Sequence, residues 1–412
     1  MQIVYNILIH LTEILLPVIA VFNPKIRLFV NGRKQTFDKL QKAIQPTDKT
    51  VWIHCASLGE FEQGRPIIEK IKAVYPHYKV IVSFFSPSGY EIQKNYALAD
   101  AVVYLPLDTT SKSKRFVALA HPTLAIFVKY EFWPNLLAVL RHKNIKTILV
   151  SGIFRKEQYF FKKNKRWFKN SLQTFTRFFV QNEDSVTLLK SIGFSNVTEN
   201  GDTRFDRVLE ILKNKKELPL LNQFTKGHHI LVAGSTWAKD ESLLVKYINS
   251  NARDDEKFIF APHNIKPDDI EQLKKSLTKK TLLYSQANAQ NINNVQVLII
   301  DSIGILTQVY AYADVAYVGG GFGVGIHNIL EPATYGVPIL IGPNYQKFQE
   351  ANDLILHKGC FEIDNDQQLK KLLQKLKTNT EFRTNSGQIA FDYIKKNSGA
   401  TKKIVEYVTK VL

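Results

Sequence analysis

Two carboxylates in the first half of the chain stand where proton transfer could occur. Glu60 ends the segment HCASLGE at 54–60, where a predicted strand turns into a helix. There it could accept a proton from an attacking hydroxyl, or it could be an acidic first-turn residue that the helix dipole favours. Glu131 lies in KYEFWPN at 129–135, after another predicted strand. Its aromatic neighbours would partly desolvate it, unless it is a structural carboxylate paired with a base.

Arg204 is the third charged candidate, in GDTRFD at 201–206, where the first domain is predicted to end. A guanidinium there could meet the negative charge of a leaving phosphate. The alternative is a surface ion pair with Asp202 or Asp206. The residue types alone leave both interpretations open.

A glycine-rich turn is the strongest local signal in the second half. Residues 318–332 read VGGGFGVGIHNILEP, with five glycines in the seven residues 319–325, and a helix is predicted to open near His327–Asn328. Glycines let a ligand approach the backbone closely, and free N–H groups at a helix start suit an anion. The spacing matches neither a P-loop nor a dinucleotide fingerprint. A binding loop in which Glu331 accepts ribose hydroxyls is favoured over a tight turn with an acidic helix start.

Three more loops of this half follow predicted strands. They contain Gly234-Ser235-Thr236, Ala261-Pro262-His263 and Asp301-Ser302-Ile303-Gly304. Ser, Thr and Asp are also common helix N-caps, so each loop alone is a weak signal. Ligands of parallel sheets bind at the carboxyl ends of strands, so the three loops together indicate a nucleotide site.

The elements that must position these loops are strands that alternate with helices. The predicted strands are Val51–Cys55, Lys79–Phe85, Ala101–Leu105, Thr123–Val128, Lys146–Val150, Arg177–Gln181, His229–Ala233, Lys257–Ala261, Val295–Ile300, Val315–Val318 and Pro338–Ile341. This alternation predicts an α/β protein with two doubly wound parallel sheets, a polar linker at Lys213–Thr225 and a cleft between the domains. The expected domains are 25–212 and 225–390, preceded by a helix at 1–24. A C-terminal helix at 391–412 is expected to pack back on the first domain.

Composition narrows the class of protein. The 412 residues are 45% hydrophobic and 11% aromatic, which excludes intrinsic disorder. Two cysteines, Cys55 and Cys360, exclude a disulfide framework, and the ten histidines show no metal-ligand spacing, so no metal or other cofactor is expected. The net charge of +18 points to a polyanionic partner, which could be nucleic acid, an acidic membrane or a phosphorylated substrate.

The N-terminus raises the question of a membrane. Residues 3–22 are rich in Ile, Leu and Val, about the length that a membrane-spanning helix needs. Four polar residues share one helical stripe of this segment: Gln2, Asn6, His10 and Glu13. Four basic residues follow it: Lys25, Arg27, Arg33 and Lys34. A helix in the membrane interface, with basic residues on anionic headgroups, is favoured over a single span and over a buried core helix.

Two further segments have more than one interpretation. The segment FRKEQYFFKKNKRWFK at 154–169 alternates basic and aromatic residues. That mixture suits nucleic acid or a membrane interface, and the apolar N-terminus in the same domain favours the membrane. Asp364-Asn365-Asp366 has the Asp-x-Asp form of some metal-nucleotide sites, but it reads better as a helix N-cap.

Six ordered motifs together resemble one family, the membrane-associated 3-deoxy-D-manno-octulosonic acid (Kdo) transferases of lipopolysaccharide synthesis. They are HCASLGE at 54–60, YLPLD at 104–108, KYEFWPN at 129–135, GDTRFD at 201–206, GST at 234–236 and GGGFGVGIHNILEP at 319–332. The resemblance covers nearly the whole chain, and several ordered motifs are more specific than any one of them.

The resemblance implies two Rossmann-like domains of the glycosyltransferase B type at the cytoplasmic face of the bacterial inner membrane. It implies transfer of Kdo from CMP-Kdo to a lipid A precursor (lipid IVA), with inversion and without metal. The implied partners are CMP-Kdo, the lipid A precursor and an anionic membrane surface, and not nucleic acid. Neither the number of Kdo residues added nor the oligomeric state follows from it.

The family's functional residues carry over by position. Glu60 falls on the general base, and Glu131 and Arg204 fall on positions that stabilise the transition state. The CMP-binding segments fall on 262–263, 303–305 and 328–331. With the loop residues above, the predicted donor site contains Ser235, Thr236, Pro262, His263, Ile303, Gly304, Ile305, Gly325, Asn328, Ile329, Leu330 and Glu331.

Three places depart from the family pattern. Asp202 and Arg204 stand where the family has Asn and Lys, so the positive charge is kept in a different shape. His263-Asn264 stands where Arg-His is common, which removes a guanidinium from one predicted phosphate contact. Ile305 replaces a common acidic residue and leaves only backbone contacts there.

Two other functions fit parts of the sequence. Another glycosyltransferase B type enzyme would use a different nucleotide sugar, and a preference for uridine over cytidine nucleotides would reveal it. A nucleic-acid-binding protein would explain the positive charge and would bind with a steep salt dependence, but it leaves the glycine turn and Glu60 unexplained.

Overall fold

The chain forms two compact units, each built on a parallel sheet. A computed structural model describes residues 1–162, 166–213, 217–323 and 325–412. The N-terminal unit contains Met1–Arg207 together with Asn397–Leu412, and the C-terminal unit contains Val208–Lys396. Each unit has one seven-stranded sheet in which all described pairs are parallel. The predicted α/β class with two doubly wound sheets is therefore confirmed.

The sheet of the N-terminal unit has the strand order β3-β2-β1-β4-β5-β6-β7. Its strands are β1 (Thr50–Cys55), β2 (Lys79–Phe84), β3 (Ala101–Tyr104), β4 (Pro122–Val128), β5 (Lys146–Gly152), β6 (Arg177–Val180) and β7 (Val197–Glu199). Every residue of β1 is buried, and its side chains alternate between two apolar clusters. Trp52 joins one cluster while Val51 and Ile53 join the other, as the two-residue period of a strand covered on both faces requires.

The sheet of the C-terminal unit has the order β10-β11-β9-β8-β12-β13-β14. Its strands are β8 (His229–Thr236), β9 (Glu256–Pro262), β10 (Thr281–Leu283), β11 (Val297–Ile299), β12 (Val315–Val318), β13 (Ile339–Ile341) and β14 (Cys360–Glu362). The central strands β8 and β12 pair in register from Leu231 and Val315 onward, so their carboxyl ends lie side by side. The loops that follow these two strands are thereby brought to one edge of the sheet.

Helices cover both sheets. Up to the boundary of the N-terminal unit they are α1 (Gln2–Phe22), α2 (Pro24–Lys34), α3 (Thr36–Ala43), α4 (Leu58–Val74), α5 (Pro87–Gln93), α6 (Thr110–Ala120), α7 (Pro134–His142), α8 (Arg166–Leu172), α9 (Glu183–Ser191) and α10 (Thr203–Lys213). They continue as α11 (Pro219–Thr225), α12 (Ala238–Asn251), α13 (Pro267–Ser276), α14 (Leu306–Val309), α15 (Leu330–Thr334), α16 (Gln349–Leu356), α17 (Asp366–Thr378), α18 (Thr380–Asn397) and α19 (Ala400–Val411). Ile404 and Val408 of α19 are buried in an apolar cluster of the N-terminal unit.

The predicted linker at Lys213–Thr225 is largely a helix. Its second half forms α11, which begins with a proline and buries Leu221 and Phe224. Proline is favoured at the first helical position because its missing N–H would have no partner there. The linker prediction is wrong for this half because two buried apolar side chains outweigh the polar average, and residues 214–216 lie outside the described part.

Helix α1 presents its apolar side chains to the outside of its unit. It is the one helix among the described residues that is long and apolar enough to cross a membrane, and its mean hydropathy is 1.9. Ile3 is 75% exposed and Phe22 is 84% exposed. Of the predicted polar stripe, Asn6 and Glu13 are partly exposed but also contact the rest of the unit, by a hydrogen bond and an ion pair. The stripe is therefore partly a contact surface with the protein.

Two of the four basic residues that follow α1 bind carbonyls of this chain. The Arg27 guanidinium donates to the oxygens of Ala20 and Val21, at the end of α1. Arg33 donates to the oxygen of Phe85, and burial lowers its pKa to about 9. The prediction that these residues lie on lipid headgroups is wrong for the largely buried Arg33, and it stays a prediction for the exposed Arg27.

Part of the basic and aromatic segment 154–169 also contacts the protein itself. Phe154 is buried, and Phe160 and Phe161 pack against the core. The prediction that these aromatic rings face a membrane is therefore wrong, and residues 163–165 lie outside the described part.

The prediction that 364–366 forms a helix N-cap is confirmed, because the Asn365 side chain accepts hydrogen bonds from the backbone N–H groups of Gln367 and Gln368 at the start of α17.

Candidate active site

The predicted base, Glu60, stands in the first turn of α4, just beyond the carboxyl end of β1. The Ser57 hydroxyl, at the N-cap of this helix, donates to the Glu60 carboxylate. The Glu60 side chain is 14% exposed, and the Nζ of Lys129 lies 3.7 Å from its Oε1. The carboxylate therefore has a hydroxyl donor, a nearby cation and an open side.

Lys129 reaches Glu60 from an unusual backbone conformation. It follows the end of β4 and has φ +65°, in the left-handed region, where a non-glycine residue costs about 1 kcal/mol or more. Its N–H bond to the oxygen of Val150, at 2.9 Å, holds it there. Such strain recurs at functional sites, and here it occurs in the one residue that brings positive charge to Glu60 in the described structure.

Glu131 is held by two rings. The indole Nε1 of Trp133 donates to its Oε2 at 3.0 Å, and the Nε2 of the fully buried His54 lies 3.5 Å from the same oxygen. The other ring nitrogen of His54, Nδ1, lies 2.9 Å from the Ser83 hydroxyl, which accepts the indole N–H of Trp52. Nδ1 also lies 3.2 Å from the Ser83 backbone oxygen, and these contacts hold the imidazole ring beside Glu131.

Glu60 and Glu131 both raise the pKa values of the same two neighbours, Cys55 and Tyr130. Burial raises the pKa of the Cys55 thiol, and the charges of Glu60 and Glu131 raise it further. The pKa of Tyr130 is likewise raised, by burial first and then by Glu60, with Glu131 adding to the rise. The two carboxylates thus form one negative region, and Cys55 is an inert thiol inside it.

Arg204 forms a partly buried ion pair rather than a surface pair. Its Nε donates to Asp202 Oδ2 at 2.8 Å, and its backbone N–H donates to Oδ1 at 2.9 Å. Although burial raises the pKa of Asp202, the Arg204 charge, its N–H and the Gln63 amide together hold that pKa below its ordinary value. Gln63 lies on α4, so this pair joins the start of α10 to the helix that carries Glu60. Asp206, the other suggested partner, instead accepts N–H bonds at the start of α19.

In the C-terminal unit, three of the five glycines are required by the fold itself. A Cβ on Gly319 would lie 2.3 Å from the Ser235 oxygen, and one on Gly321 would lie 2.6 Å from the Gly342 nitrogen. Gly320 has φ +94°, and a Cβ there would meet the Gly325 oxygen at 2.4 Å. Because the chain's own backbone occupies the space beside these three glycines, their presence alone does not indicate a ligand.

The helix after this turn starts later than predicted. Helix α15 begins at Leu330 rather than near His327–Asn328. The Asn328 side chain accepts the N–H of Leu330 and donates to Glu331, whose other oxygen accepts the Thr307 hydroxyl at 2.7 Å. Glu331 thereby joins the loop after β12 to the loop after β11.

Three rings join the remaining predicted loops. The Nε1 of Trp237 donates to the Nε2 of His327 at 2.9 Å, and the two rings are within 15° of parallel. The His263 ring stacks on both, with centroids 4.5 Å from Trp237 and 4.6 Å from His327. Burial lowers the pKa of His327, and the neighbouring His263 lowers it further. His327 is thus favoured as a neutral ring whose Nε2 accepts the Trp237 N–H bond.

The structure places the other predicted donor residues as follows. Ser235 has φ +53°, and the Thr236 hydroxyl donates to Glu241, so neither side chain is the N-cap of α12, which is Trp237. Ile303 is 86% exposed. Pro262 lines the cavity described next. Gly304 and Gly325 have positive φ angles, and Ile305 is the N-cap of α14. The side chains of Ile329 and Leu330 are buried.

A cavity of about 520 Å³ adjoins these loops. Thr236, Trp237 and Pro262 line one side of it, and Asp269 and Gln272 of α13 line another. None of the described residues of 303–331 lines this cavity, which therefore borders the predicted donor loops. Within the described ranges, no three His, Cys, Asp or Glu side chains form a group that could hold a metal ion.

Several residues of the two sites were missed by the sequence analysis. Lys129, His54, Trp237 and His327 all lie inside or beside the motifs quoted there, but no role was predicted for them. Their position inside or beside these motifs is the signal in the sequence that could have revealed them. The partners of all four lie between 29 and 90 residues away in sequence, a separation that no local pattern reveals.

Comparison with known proteins finds similarity to one family. Residues 31–207 match the family model described as 3-deoxy-D-manno-octulosonic-acid transferase. A 3-deoxy-D-manno-octulosonic acid transferase of Aquifex aeolicus is 27% identical over 84% of this chain and 92% of its own length. A bifunctional glycosyltransferase/methyltransferase of Fusobacterium nucleatum is 26% identical over 93% of this chain, which spans 61% of that relative.

The fold is similarly shared. The structure of UDP-GlcNAc 2-epimerase from Neisseria meningitidis, bound to UDP-GlcNAc, matches 88% of this chain and all of its own with a TM-score of 0.61 at 13% identity. At that identity the match shows a glycosyltransferase B-like fold and nothing of the substrate. The family match over residues 31–207 and the relatives that cover most of the chain support more: this protein is similar to the Kdo transferase family of glycosyltransferases.

Proposed function

We propose that the protein transfers Kdo from CMP-Kdo to a lipid A precursor, with inversion at the anomeric carbon and without a metal ion. The observation that carries this proposal is the arrangement around Glu60, with a hydroxyl donor on one side and the Lys129 ammonium 3.7 Å away. A partly exposed carboxylate in such a position can take the proton of an acceptor hydroxyl as the sugar carbon is attacked.

The donor half of the reaction belongs to the C-terminal unit. The loops after β8, β9, β11 and β12 are joined there by the three-ring stack and by Glu331. CMP leaves as an anion, and N–H groups of the glycine turn together with neutral or protonated imidazoles can stabilise it without a metal. Glu131 and Arg204 are proposed to stabilise the charge that develops during transfer.

We also propose that α1 attaches the protein to the cytoplasmic face of a bacterial inner membrane. Its exposed apolar side chains and the net charge of +18 support an anionic membrane surface as a partner. The same charge suits a phosphorylated lipid acceptor, so nucleic acid is not needed to explain it.

The decisive experiment is transfer from CMP-Kdo, generated in situ, to a tetra-acylated lipid A precursor in the presence of EDTA, with the product read by mass spectrometry. We expect products heavier by one or more Kdo units. The absence of product together with tighter binding of CMP than UMP would keep the donor and reject the acceptor. The absence of both product and cytidine preference would favour a glycosyltransferase that uses another nucleotide sugar.

A further inference from the structure

Helix α1 is bonded to Asp108 and Asn135, two motif residues for which the proposed reaction gives no role. The Tyr5 hydroxyl donates to Asp108 Oδ2 at 2.8 Å, and the Asn135 side chain donates to Asn6 Oδ1 at 2.8 Å. Asp108 ends the YLPLD motif, and Asn135 ends the KYEFWPN motif. An ion pair between Glu13 and Lys112 of α6 adds a third contact along the helix.

Asp108 is the centre of this contact. Besides the Tyr5 hydroxyl, its carboxylate accepts the N–H groups of Asn135 and Leu136 at 2.9 and 2.8 Å and the Ser113 hydroxyl at 3.0 Å. Asp108 is 1% exposed, and its backbone oxygen accepts a further bond from the Asn135 side chain at 2.6 Å. The carboxylate therefore satisfies the orphan N–H groups at the start of α7 while it holds α1.

The start of α7 is also the end of the Glu131 loop. Helix α7 begins at Pro134, and Trp133 at its N-cap donates its indole N–H to Glu131 at 3.0 Å. Any movement of the first turn of α7 therefore displaces the ring that holds Glu131. Asp108 fixes that turn, and α1 supplies part of what surrounds Asp108.

We propose that Asp108 is a positioning residue that joins α1 to the Glu131 loop, so that α1 helps to set the geometry of the acceptor site as well as attaching the protein to a membrane. The inference rests on the proposed function for its catalytic consequence. Without the Tyr5 hydroxyl and the Asn6 amide, a buried carboxylate and a buried amide each lose a partner. The first turn of α7 then loosens, and a small misplacement of a transition-state residue costs much of its effect.

The two roles of α1 lie on different sides of the helix and can be separated by substitution. Tyr5 and Asn6 are half-buried against the unit, whereas Ile14 and Leu15 are 68% and 55% exposed. Substitutions on the first side test positioning, and polar substitutions on the second side test attachment. The second pair provides a matched control, because it changes the same helix without touching Asp108.

The test uses the full-length protein with the double variants Tyr5→Phe/Asn6→Ala and Ile14→Ser/Leu15→Ser. Transfer is measured with an acceptor dispersed in detergent, which removes any need for a bilayer, and attachment is measured by flotation with vesicles of phosphatidylethanolamine and phosphatidylglycerol. Amide hydrogen exchange at Asn135 and Leu136 reports the first turn of α7 directly. If the first double variant does not fold, Tyr5→Phe alone removes one hydroxyl and takes its place.

We expect Tyr5→Phe/Asn6→Ala to lower kcat about tenfold, with KM for the donor unchanged and exchange at Asn135 and Leu136 faster, while vesicle binding stays within about twofold. Ile14→Ser/Leu15→Ser should show the reverse. Wild-type kcat and wild-type exchange in the first variant would overturn the inference. If the wild-type protein transfers no Kdo, the proposed function fails, and the exchange measurement alone then decides whether α1 holds α7.

Discussion

The two candidate sites are formed by different kinds of chemical group. The site in the N-terminal unit is built from charged side chains, with Glu60 beside Lys129 and Glu131 beside His54. The site in the C-terminal unit is built from closely packed backbone and stacked rings, with Gly319 against Ser235 and Trp237 against His263. The difference suggests a division of labour, in which the first unit supplies the proton transfer and the second holds the donor. Substitutions in the first site should then change kcat, and those in the second should change donor binding.

The largest effect is expected from Glu60→Gln. The amide cannot accept the acceptor's proton, so kcat should fall by about 10³-fold while CMP binds as in the wild type. Steady-state transfer rates and calorimetric CMP titration measure the two quantities. Glu62→Gln is the matched control on the same helix, because Glu62 pairs with Arg207. Near wild-type transfer by a folded Glu60→Gln protein would remove Glu60 as the base.

The second effect is expected from Glu131→Gln. The substitution keeps the shape but removes the charge near His54 and reverses part of the hydrogen-bonding pattern, so kcat should fall by roughly 10²-fold with little change in donor binding. The same rate and titration measurements test it. A rise in the Kd of CMP with kcat unchanged would place Glu131 on the donor side and break the division between the two sites.

The third effect concerns the C-terminal site, where Gly319→Ala should weaken CMP binding by tenfold or more. The added Cβ would lie 2.3 Å from the Ser235 oxygen, which is backbone and cannot rotate away. Overpacking of this kind also costs about 1–3 kcal/mol of the free energy of unfolding. Denaturant unfolding and CMP titration measure the two effects.

Gly323→Ala is the control for the same loop, since its Cβ would meet its nearest atom at 3.7 Å, an ordinary contact. We expect it to change stability by no more than about 0.5–1 kcal/mol and to bind CMP normally. Equal losses in the two variants would show that the turn contacts the ligand throughout, as the sequence first suggested, rather than packing against its own unit.

The sheets were easier to predict than the sites. All eleven predicted strands are present, and the three that were missed are β7, β10 and β14, each of three residues at a sheet edge. Edge strands lack the long apolar run that burial on both faces gives to a strand such as β1, so pattern alone did not reveal them. The carboxylates were predictable because Glu60 and Glu131 lie directly after strands. Their partners were not, since Lys129 meets Glu60 only after β1 and β4 pair.

The segments assigned to a membrane show the same limit. Composition correctly described α1 as apolar, but composition cannot show which side of the helix faces the protein. Asn6 finds Asn135 across 129 residues, and Phe160 and Phe161 turn inward because a core is available to them. Aromatic residues among lysines look alike in sequence whether they cover a core or a membrane.

The smallest effect is expected from Trp237→Phe, which tests the stack of Trp237, His263 and His327 in the C-terminal unit. Phenylalanine can keep the stack on His263 but cannot donate to the Nε2 of His327, a bond that only the neutral imidazole accepts. Because losing a bond to the neutral form favours the charged form, the pKa of His327 should rise toward its ordinary value. Nuclear magnetic resonance titration of the His327 ring measures this shift directly, and CMP binding at pH 7 should change only a few-fold.

The sign of the pH dependence in the wild type follows from the burial of His327 and from the neighbouring His263, which together lower its pKa. The folded-state pKa of His327 is lowered, so the unfolded chain takes up its proton first as the pH falls. Its contribution to stability is therefore complete above about pH 6.5 and is lost between that value and the lower folded-state pKa. Trp237→Phe should flatten this part of the stability profile. An unchanged His327 pKa in the variant would show that burial and His263 set it without the indole, and the ring stack would then hold the loops by packing alone.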